Sequence, residues 1–337
     1  MPDPELGEGE GGGEGGTGRR QPRKGPTTHH PTRGRASRRG LATGLFFVSP
    51  WLVGLGAFLV YPICASLYYS FCEYSVLLPA EFIGTGNYVD LVRDEVFVKA
   101  LANTVIYAGL SLPLGLIVSL GLALLLNTGV PLMSWFRTIF FLPVLVPMVA
   151  LAVLWMWIFN GEYGVLNHAL KPVLHLIAAV RGGPDPTPPG WLSDPSWSKP
   201  ALVMMSAWCV GNSVVIYLAG LQDVPQHLYE AAELDGAGWF QRIRHVTLPS
   251  ISPVIQFNFV MGLIGSLQFF AVPYVISPTG SPARSIYFLP MYLYDNAFTY
   301  LRMGYASAMA WILFVIIFLL TLLSLKVSER HIHYGGE

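Results

Sequence analysis

Six long stretches without a charged residue constrain this chain of 337 residues more than any other feature. They cover 40–72, 100–136, 138–161, 200–222, 245–283 and 303–325. A membrane-spanning helix needs about 20 apolar residues, and one charge at its centre costs about 2.5–3.5 kcal/mol on insertion scales. The sequence therefore predicts an all-α polytopic membrane protein with six transmembrane helices, at about 43–70, 100–126, 138–159, 200–221, 253–276 and 303–325.

The charged residues are concentrated outside these stretches. Residues 1–40 contain 13 of the 40 charged residues and 11 of the 35 glycines, a composition typical of a disordered tail. The predicted organisation is a cytoplasmic Gly/Glu/Arg-rich tail at 1–40, a six-span domain at 41–328 and a short cytoplasmic tail at 329–337. With cytoplasmic termini, inside segments hold 13 basic residues and outside loops hold 7, which is the bias that the positive-inside rule expects.

Several classes of function lack support in the sequence. No Asp, Glu, Lys or Arg lies in a predicted span core, which argues against proton-coupled transport, although a sodium site made of carbonyl groups would leave no such trace. Without a phosphate-binding loop or a hydrolase motif, the chain is expected to be a non-catalytic subunit with no metal or cofactor of its own. Zero net charge and the lack of a basic stripe give no support to nucleic-acid binding. Cys64, Cys72 and Cys209 are expected to be small buried hydrophobic residues.

Local geometry is predicted at three further places. Pro143 and Pro147 predict a kink in the third span. Gly304 and Ala308 in the sixth span predict a packing face between helices. The apolar stretch at 172–180 is too short to cross a membrane and predicts an interfacial helix.

The cytoplasmic loop at 222–252 carries the most information. Asp223 predicts a helix start with a capping box, and Gly236 predicts the end of that helix. A second short helix is predicted over 238–246, with Pro249 ending it. Two short helices with apolar and small-residue faces are typical of a docking surface for a partner, although helices that lie beneath the bilayer have the same pattern.

The same loop contains a spaced motif. Glu230-Ala231-Ala232 is followed after three residues by Gly236 and after nine more by Val246-Thr247-Leu248-Pro249. This arrangement resembles the EAA signature of permease subunits in binding-protein-dependent ABC importers, with Val246 in place of the family's isoleucine. Shorter motifs, among them Arg137–Pro143 and Gly304–Ala308, resemble the carbohydrate-type branch that includes the maltose, glycerol-phosphate and trehalose permeases.

The resemblance implies a type I ABC importer permease fold in a bacterial inner membrane. It also implies partners: a second permease subunit in a heterodimer, a cytoplasmic ATPase dimer that holds ATP and magnesium, an extracytoplasmic solute-binding protein, and a sugar as the solute. In this family the EAA loop forms a coupling helix that contacts the ATPase. The residues implied to couple this chain to the ATPase are Glu230, Ala231, Ala232, Asp235, Gly236, Leu248 and Pro249.

A sugar pathway requires hydrogen-bonding groups beside an aromatic ring. The candidates in spans four and five are Asn212, Ser213, Tyr217, Ser266, Gln268 and Phe269, each of which is equally compatible with an interhelical or interfacial role. Three functions stay open from the residues alone: a permease for a sugar or a solute such as glycerol-phosphate, an ion-coupled secondary transporter, and a membrane scaffold without transport activity. The EAA spacing favours the first.

Overall fold

The computed structural model describes residues 38–128, 133–184 and 187–329. Nearly all of the predicted N-terminal tail and of the predicted C-terminal tail therefore lies outside the described residues. The described helices are α1 (Arg38–Leu55), α2 (Tyr61–Ser70), α3 (Gly86–Arg93), α4 (Glu95–Leu126), α5 (Met133–Phe141), α6 (Met148–Ile158), α7 (Val165–Arg181), α8 (Pro195–Trp208), α9 (Gly211–Gln222), α10 (Gln226–Leu234), α11 (Trp239–Arg242), α12 (Leu248–Ser250), α13 (Ser252–Leu267), α14 (Ala271–Ile276), α15 (Leu289–Tyr294) and α16 (Met303–Ser328).

The chain is mostly helical, as predicted, with one element that the hydrophobic pattern did not predict. This element is an antiparallel hairpin of β1 (Cys72–Ser75) and β2 (Leu78–Phe82). A 3-10 turn covers Leu142–Leu145, and π-helical segments cover Gly56–Val60, Ile243–Thr247 and Asp295–Thr299.

The chain divides into two units at Leu59 and Val60. In the first unit, no described side chain at 43–59 is buried. An apolar helix without a covering surface of its own is typical of a segment that faces lipid or another chain. The second unit, here called the main unit, contains all the remaining elements.

Four helices in the described part of the chain are long and apolar enough to cross a membrane: Thr43–Ser70, Glu95–Leu126, Ser252–Ile276 and Met303–Ser328. They correspond to the first, second, fifth and sixth predicted spans. The second begins at Glu95 instead of near residue 100. Asp94 extends it by capping its first turn, where the carboxylate accepts a hydrogen bond from the backbone N–H of Val96 at 2.8 Å.

The third and fourth predicted spans are broken helices. The segment Met133–Leu145 meets α6 at 100°, and α8 meets α9 at 44°. Pro147 has extended backbone and is the N-cap of α6, so the predicted kink in this span is confirmed. A bend of 100° means that residues 138–159 do not form one straight span.

Glycines permit the closest contacts around α4, which packs against α8, α9 and α13. A Cβ atom on Gly262 of α13 would lie 2.7 Å from Leu112 Cδ1 of α4. A Cβ atom on Gly211 at the start of α9 would lie 2.6 Å from Val144 Cγ2, in the 3-10 turn. Since real Cβ contacts are longer, a side chain at either position would force Leu112 or Val144 to move.

The predicted small-residue face of the sixth span is confirmed. Gly304, Ala306 and Ala308 of α16 are all buried. A Cβ atom on Gly304 would collide with the carbonyl oxygen of Cys72, at the start of β1. The last helix therefore lies directly against the hairpin that follows α2.

The three cysteines differ in burial. Cys72 is buried and Cys209 is half-buried, whereas Cys64 is exposed. The expectation of a buried thiol is therefore wrong for Cys64, because an apolar sequence context in a membrane helix marks a lipid-facing position as readily as a core position.

The loop at 162–199 contains a longer helix than predicted. Instead of 172–180, α7 covers Val165–Arg181, because Gly164 starts it and Gly182 ends it in the left-handed conformation with φ 67°. A hydrogen bond within the loop also joins α7 to the segment that follows it. Trp191 Nε1 donates a hydrogen bond of 2.7 Å to Asn167 Oδ1, and both side chains are buried.

One carboxylate ties the beginning of α4 to α15 and α16. Asp94 accepts hydrogen bonds from the hydroxyl groups of Tyr292 at 2.5 Å and Tyr305 at 2.8 Å. Burial acts to raise the pKa of Asp94, but these two bonds and those from the backbone of Val96 and Phe97 outweigh it and lower the pKa below its usual range. Asp94 therefore stabilises this end of the unit in its ionised form.

Candidate functional site

A cavity of about 300 Å³ lies between α4, α6, α8, α9 and α13. Its polar and aromatic lining residues are Tyr107, Ser111, Ser206, Cys209, Ser213, Asn258, Ser266 and Phe269. Apolar residues and glycines line the rest, including Gly115 and Gly265, where a Cβ atom would meet nothing within 4 Å. A largely apolar cavity with a few convergent polar groups is typical of a small-molecule site.

The polar groups of the cavity are oriented by their own helices. Ser206 Oγ donates to the carbonyl oxygen of Val203 at 2.7 Å, and Ser266 Oγ donates to that of Leu263 at 3.1 Å. Because the hydroxyl hydrogens are used within the helices, these oxygens can act only as acceptors towards other groups. Ser111 Oγ is buried and has no hydrogen-bond partner among the described residues.

One aromatic pair forms part of the wall. The rings of Tyr107 and Phe269 are stacked, with centroids 4.5 Å apart and planes at 11°. Tyr107 is buried and Phe269 is half-buried. Tyr107 therefore supports one side of the Phe269 ring, and a supported ring is the kind of surface on which the apolar face of a sugar packs.

The structure brings half of the predicted pathway residues to this cavity. Ser213, Ser266 and Phe269 line it. Asn212 and Gln268 are exposed and do not line it. Tyr217 is fully buried in a separate apolar cluster, where its hydroxyl has no hydrogen-bond partner among the described residues.

Tyr107, Ser111 and Ser206 also line the cavity, although the sequence did not predict them as pathway residues. Tyr107, Ser111 and Gly115 are each four residues apart and so share one face of α4. This polar face inside an apolar span was a usable signal. Ser206 had no comparable signal, since its role depends on how α8 packs.

The loop at 222–252, here called the coupling segment, begins differently from the prediction. The N-cap of α10 is Pro225, without a side-chain hydrogen bond, so the predicted capping box at Asp223 is wrong. Asp223 instead keeps helical backbone as the C-cap of α9. The extended backbone of Pro225 then separates the two helices.

Gly236 ends α10, as predicted. Its φ of 79° is in the left-handed region that favours glycine. The N–H of Gly236 donates to the carbonyl of Glu233 at 3.0 Å, and the N–H of Ala237 donates to that of Ala232 at 2.9 Å. These two bonds form a Schellman motif, which satisfies carbonyl groups at the end of the helix and turns the chain.

The second half of the segment starts as predicted but extends further. Gly238 is the N-cap of α11, and its N–H donates to Gln241 Oε1 at 2.9 Å. The helical path continues through Ile243–Thr247 into α12. Pro249 does not end this path, contrary to the prediction, because it lies in the first turn of α12, where a missing N–H is tolerated.

Two side-chain contacts join the halves of the coupling segment. The hydroxyl groups of Tyr229 and Thr247 are 3.0 Å apart, and Thr247 is buried. Arg242 Nη1 lies 3.3 Å from Glu233 Oε2, but the Glu233 side chain is 72% exposed, so this ion pair adds little stability. The Tyr229–Thr247 contact and the turn at Gly236 therefore hold the two halves together.

The surface of α10 is open. None of its residues is buried. Glu230, Ala231 and Asp235 are exposed, Ala232, Leu248 and Pro249 are half-buried, and Leu234, Trp239 and Phe240 are large exposed apolar side chains. Apolar side chains exposed together beside polar ones are typical of an interaction surface.

Comparison with known proteins gives consistent matches. The family model for a binding-protein-dependent transport system inner membrane component matches residues 98–333. The probable ABC transporter permease protein YesP of Bacillus subtilis (strain 168) is 36% identical over 306 residues, which are 90% of this chain and 96% of YesP. The lactose transport system permease protein LacF of Rhizobium radiobacter is 34% identical over 293 residues, which are 85% of this chain and 94% of LacF.

Two crystal structures of a bacterial alginate ABC transporter share the fold. The one in complex with an alginate pentasaccharide-bound periplasmic protein has a TM-score of 0.70 and covers 88% of this chain and 96% of its own. The other, of a transporter involved in the import of the acidic polysaccharide alginate, has a TM-score of 0.68 and covers 87% and 96%. Both are 24% identical in sequence, so they define the fold alone.

Proposed function

This chain belongs to the family of binding-protein-dependent transport system inner membrane components, and we propose that it is the permease subunit of an ATP-driven importer for a sugar or oligosaccharide. The observation that carries the proposal is the cavity between the helices, where hydroxyl oxygens lie beside a supported aromatic ring. The name of LacF as a lactose permease further supports a carbohydrate as the solute.

The proposed arrangement is that of an integral protein of the bacterial inner membrane. Six crossings result when each broken helix pair counts as one span. An even number of crossings puts both termini on one side, and the eight basic residues of the N-terminal tail favour the cytoplasm for that side.

The coupling segment is proposed to contact an ATPase subunit. Glu230 and Asp235 would make polar contacts there, while Ala231 and Ala232 permit close packing. Gly236 sets the turn that presents α10, and Leu248 with Pro249 connects that turn to the base of α13. Movement of the ATPase would then reach the cavity through α13, which contributes Asn258, Gly262 and Ser266 to its wall.

Three partners complete the proposed transporter. A second permease subunit would cover the exposed apolar helix faces and supply the other half of the pathway. An ATPase dimer with ATP and magnesium would supply energy, since this chain offers no phosphate-binding loop. A solute-binding protein would deliver the sugar from outside, as the complex of the alginate transporter with its periplasmic protein illustrates.

The two alternatives fit the cavity less well. A glycerol-phosphate pathway requires cations for the phosphate, but no Lys or Arg lines this cavity in the described part of the chain. An ion-coupled carrier commonly uses intramembrane carboxylates, and no Asp or Glu lines it either.

Uptake in proteoliposomes tests the proposal. The chain, co-purified with its permease and ATPase partners, is reconstituted with its binding protein, and accumulation of radiolabelled neutral sugars is measured with and without internal ATP. We expect accumulation that needs ATP hydrolysis and is insensitive to ionophores. Accumulation that collapses with ionophores but survives without ATP would overturn the proposal in favour of an ion-coupled carrier.

A further inference from the structure

The cavity wall carries no formal charge among the described residues. Its polar groups are hydroxyls, one amide and the thiol of Cys209, and no Asp, Glu, Lys or Arg lines it. An ion that enters such a site loses its hydration without gaining an opposite charge, so its transfer is unfavourable. A neutral solute does not face this penalty.

The direction of the hydrogen bonds in the cavity wall also favours neutral sugars over anionic ones. Ser206 and Ser266 donate their hydrogens to carbonyl groups of their own helices, so towards any further group these two oxygens act as hydrogen-bond acceptors. A sugar hydroxyl can donate to such an oxygen. An ionised carboxylate or sulfonate only accepts hydrogen bonds, so its oxygens would face the lone pairs of these two serines.

The volume of the cavity limits what enters it at one time. Its volume is about 300 Å³. This is at the lower end of the range of about 300–1,000 Å³ for small-molecule sites, which suits one sugar ring with its substituents. A longer saccharide would place one ring at a time in this part of the pathway.

We infer that the cavity selects uncharged saccharide units and excludes anionic ones such as uronates and sulfonated sugars. This inference rests on the proposed importer function and narrows its substrate class. It separates the chain from its fold neighbour, a transporter named for an acidic polysaccharide.

Cys209 provides a probe inside the cavity, because it lines the wall and is half-buried. The complex with its partner subunits is treated with neutral, cationic and anionic methanethiosulfonate reagents of similar size. The same complex with Cys209→Ser supplies the background from all other thiols. Each rate is divided by the rate of that reagent with a free thiol, and labelling is repeated with glucose, galactose, glucuronate or galacturonate present.

The expected result has two parts. The neutral reagent should modify Cys209 at least tenfold faster, after normalisation, than either charged reagent. At least one neutral sugar should slow the labelling severalfold, while its uronate has no effect. A Ser266→Asp variant calibrates the assay, because an added carboxylate should raise the rate of the cationic reagent relative to the anionic one.

Two results would overturn the inference. One is labelling by the anionic reagent that matches the neutral reagent, and the other is protection by a uronate that equals protection by its neutral parent sugar. ATP-driven uptake is measured on the same preparations. Uptake of an anionic sugar would refute the charge selectivity while leaving the importer function intact, whereas loss of ATP dependence would refute the importer function itself.

Discussion

The cavity and the coupling segment both occur where helices are interrupted. They differ in how far the side chains at the interruption are buried within this chain. Around the cavity, polar side chains bond to their own helices and the aromatic Tyr107 is buried against Phe269. In the coupling segment, α10 has no buried residue, and apolar side chains such as Leu234 point outward. The residues that line this chain's half of the proposed pathway are therefore held by contacts within the chain, whereas the coupling surface is left exposed for a partner.

The largest expected effect is on the coupling side, at Gly236. A Gly236→Val substitution places a branched residue at φ 79°, at a cost of about 1–2 kcal/mol, and should reduce ATP-driven uptake about tenfold or more. The matched control is Gly238→Ala, since Gly238 has φ −68° and its nearest neighbour to an added Cβ atom is 3.9 Å away. Equal uptake by the two variants would mean that the turn is not needed for coupling.

The next largest effect is expected from a substitution that fills the cavity. Gly115 lines the cavity and has open space around its Cβ position, so Gly115→Leu should fold, assemble and reduce uptake severalfold. Gly109 lies on the same helix, also has open space and does not line the cavity, so Gly109→Leu is the control. Uptake assays are paired with purification of the intact complex. If both variants transport equally well, this cavity is not on the pathway.

A smaller effect is expected within the coupling segment, at Tyr229, which contacts Thr247 across the two halves of that segment. Tyr229→Phe removes a hydrogen bond to Thr247 worth about 1 kcal/mol and should lower the amount of solute imported per ATP hydrolysed by about twofold. The variant Thr247→Val and the double variant complete a mutant cycle. Strictly additive effects of the two substitutions on this ratio would show that the contact does not contribute to coupling.

The smallest effect is expected outside both regions, at Asp94. A substitution there tests whether the beginning of α4 contributes only to stability or also to transport. The lowered pKa of Asp94 means that its contribution to stability is present above the ordinary Asp pKa of about 3.9 and is lost as pH falls through the lower pKa of the folded state. Asp94→Asn should therefore lower Tm at pH 7 by about 2 °C and flatten the loss of stability in acid.

The control for this prediction is Asp90→Asn, because the Asp90 side chain is exposed. Uptake per transporter should be unchanged in both variants. A drop in uptake for Asp94→Asn without a change in Tm would give Asp94 a role in transport.

The sequence predicted the uninterrupted helices well, because long uncharged apolar stretches have few alternatives in a membrane. The spans that begin near Thr43, Ser252 and Met303 illustrate this. The bend at Pro147 could also be predicted, since proline has no backbone N–H to donate and so disfavours the interior of a helix. The hairpin after α2 was not predicted, because its position depends on contacts with α16.

The residues of the site were harder to predict from the sequence than the helices were. Ser213, Ser266 and Phe269 were identified as polar or aromatic residues in apolar spans, but Asn212 and Gln268 met the same criterion and lie outside the cavity. Which face of a span looks inward is decided by packing, such as the contact of Gly262 with Leu112. The role of Gly236 was predictable because the left-handed backbone conformation at the end of a helix depends on that residue alone and not on packing.

The contact between α2 and α16 has a consequence for biosynthesis. It joins the first and last helices of the main unit: a Cβ atom on Gly304 would lie 3.1 Å from the carbonyl oxygen of Tyr69, and Trp311 Nε1 donates to Ser66 Oγ at 3.2 Å. A ribosome that is still producing the chain exposes α2 to the membrane long before its partner exists. A chain that ends before α16 leaves the face of α2 that carries Ser66 and Tyr69 without its covering helix, so the main unit completes its packing only when the last span is present.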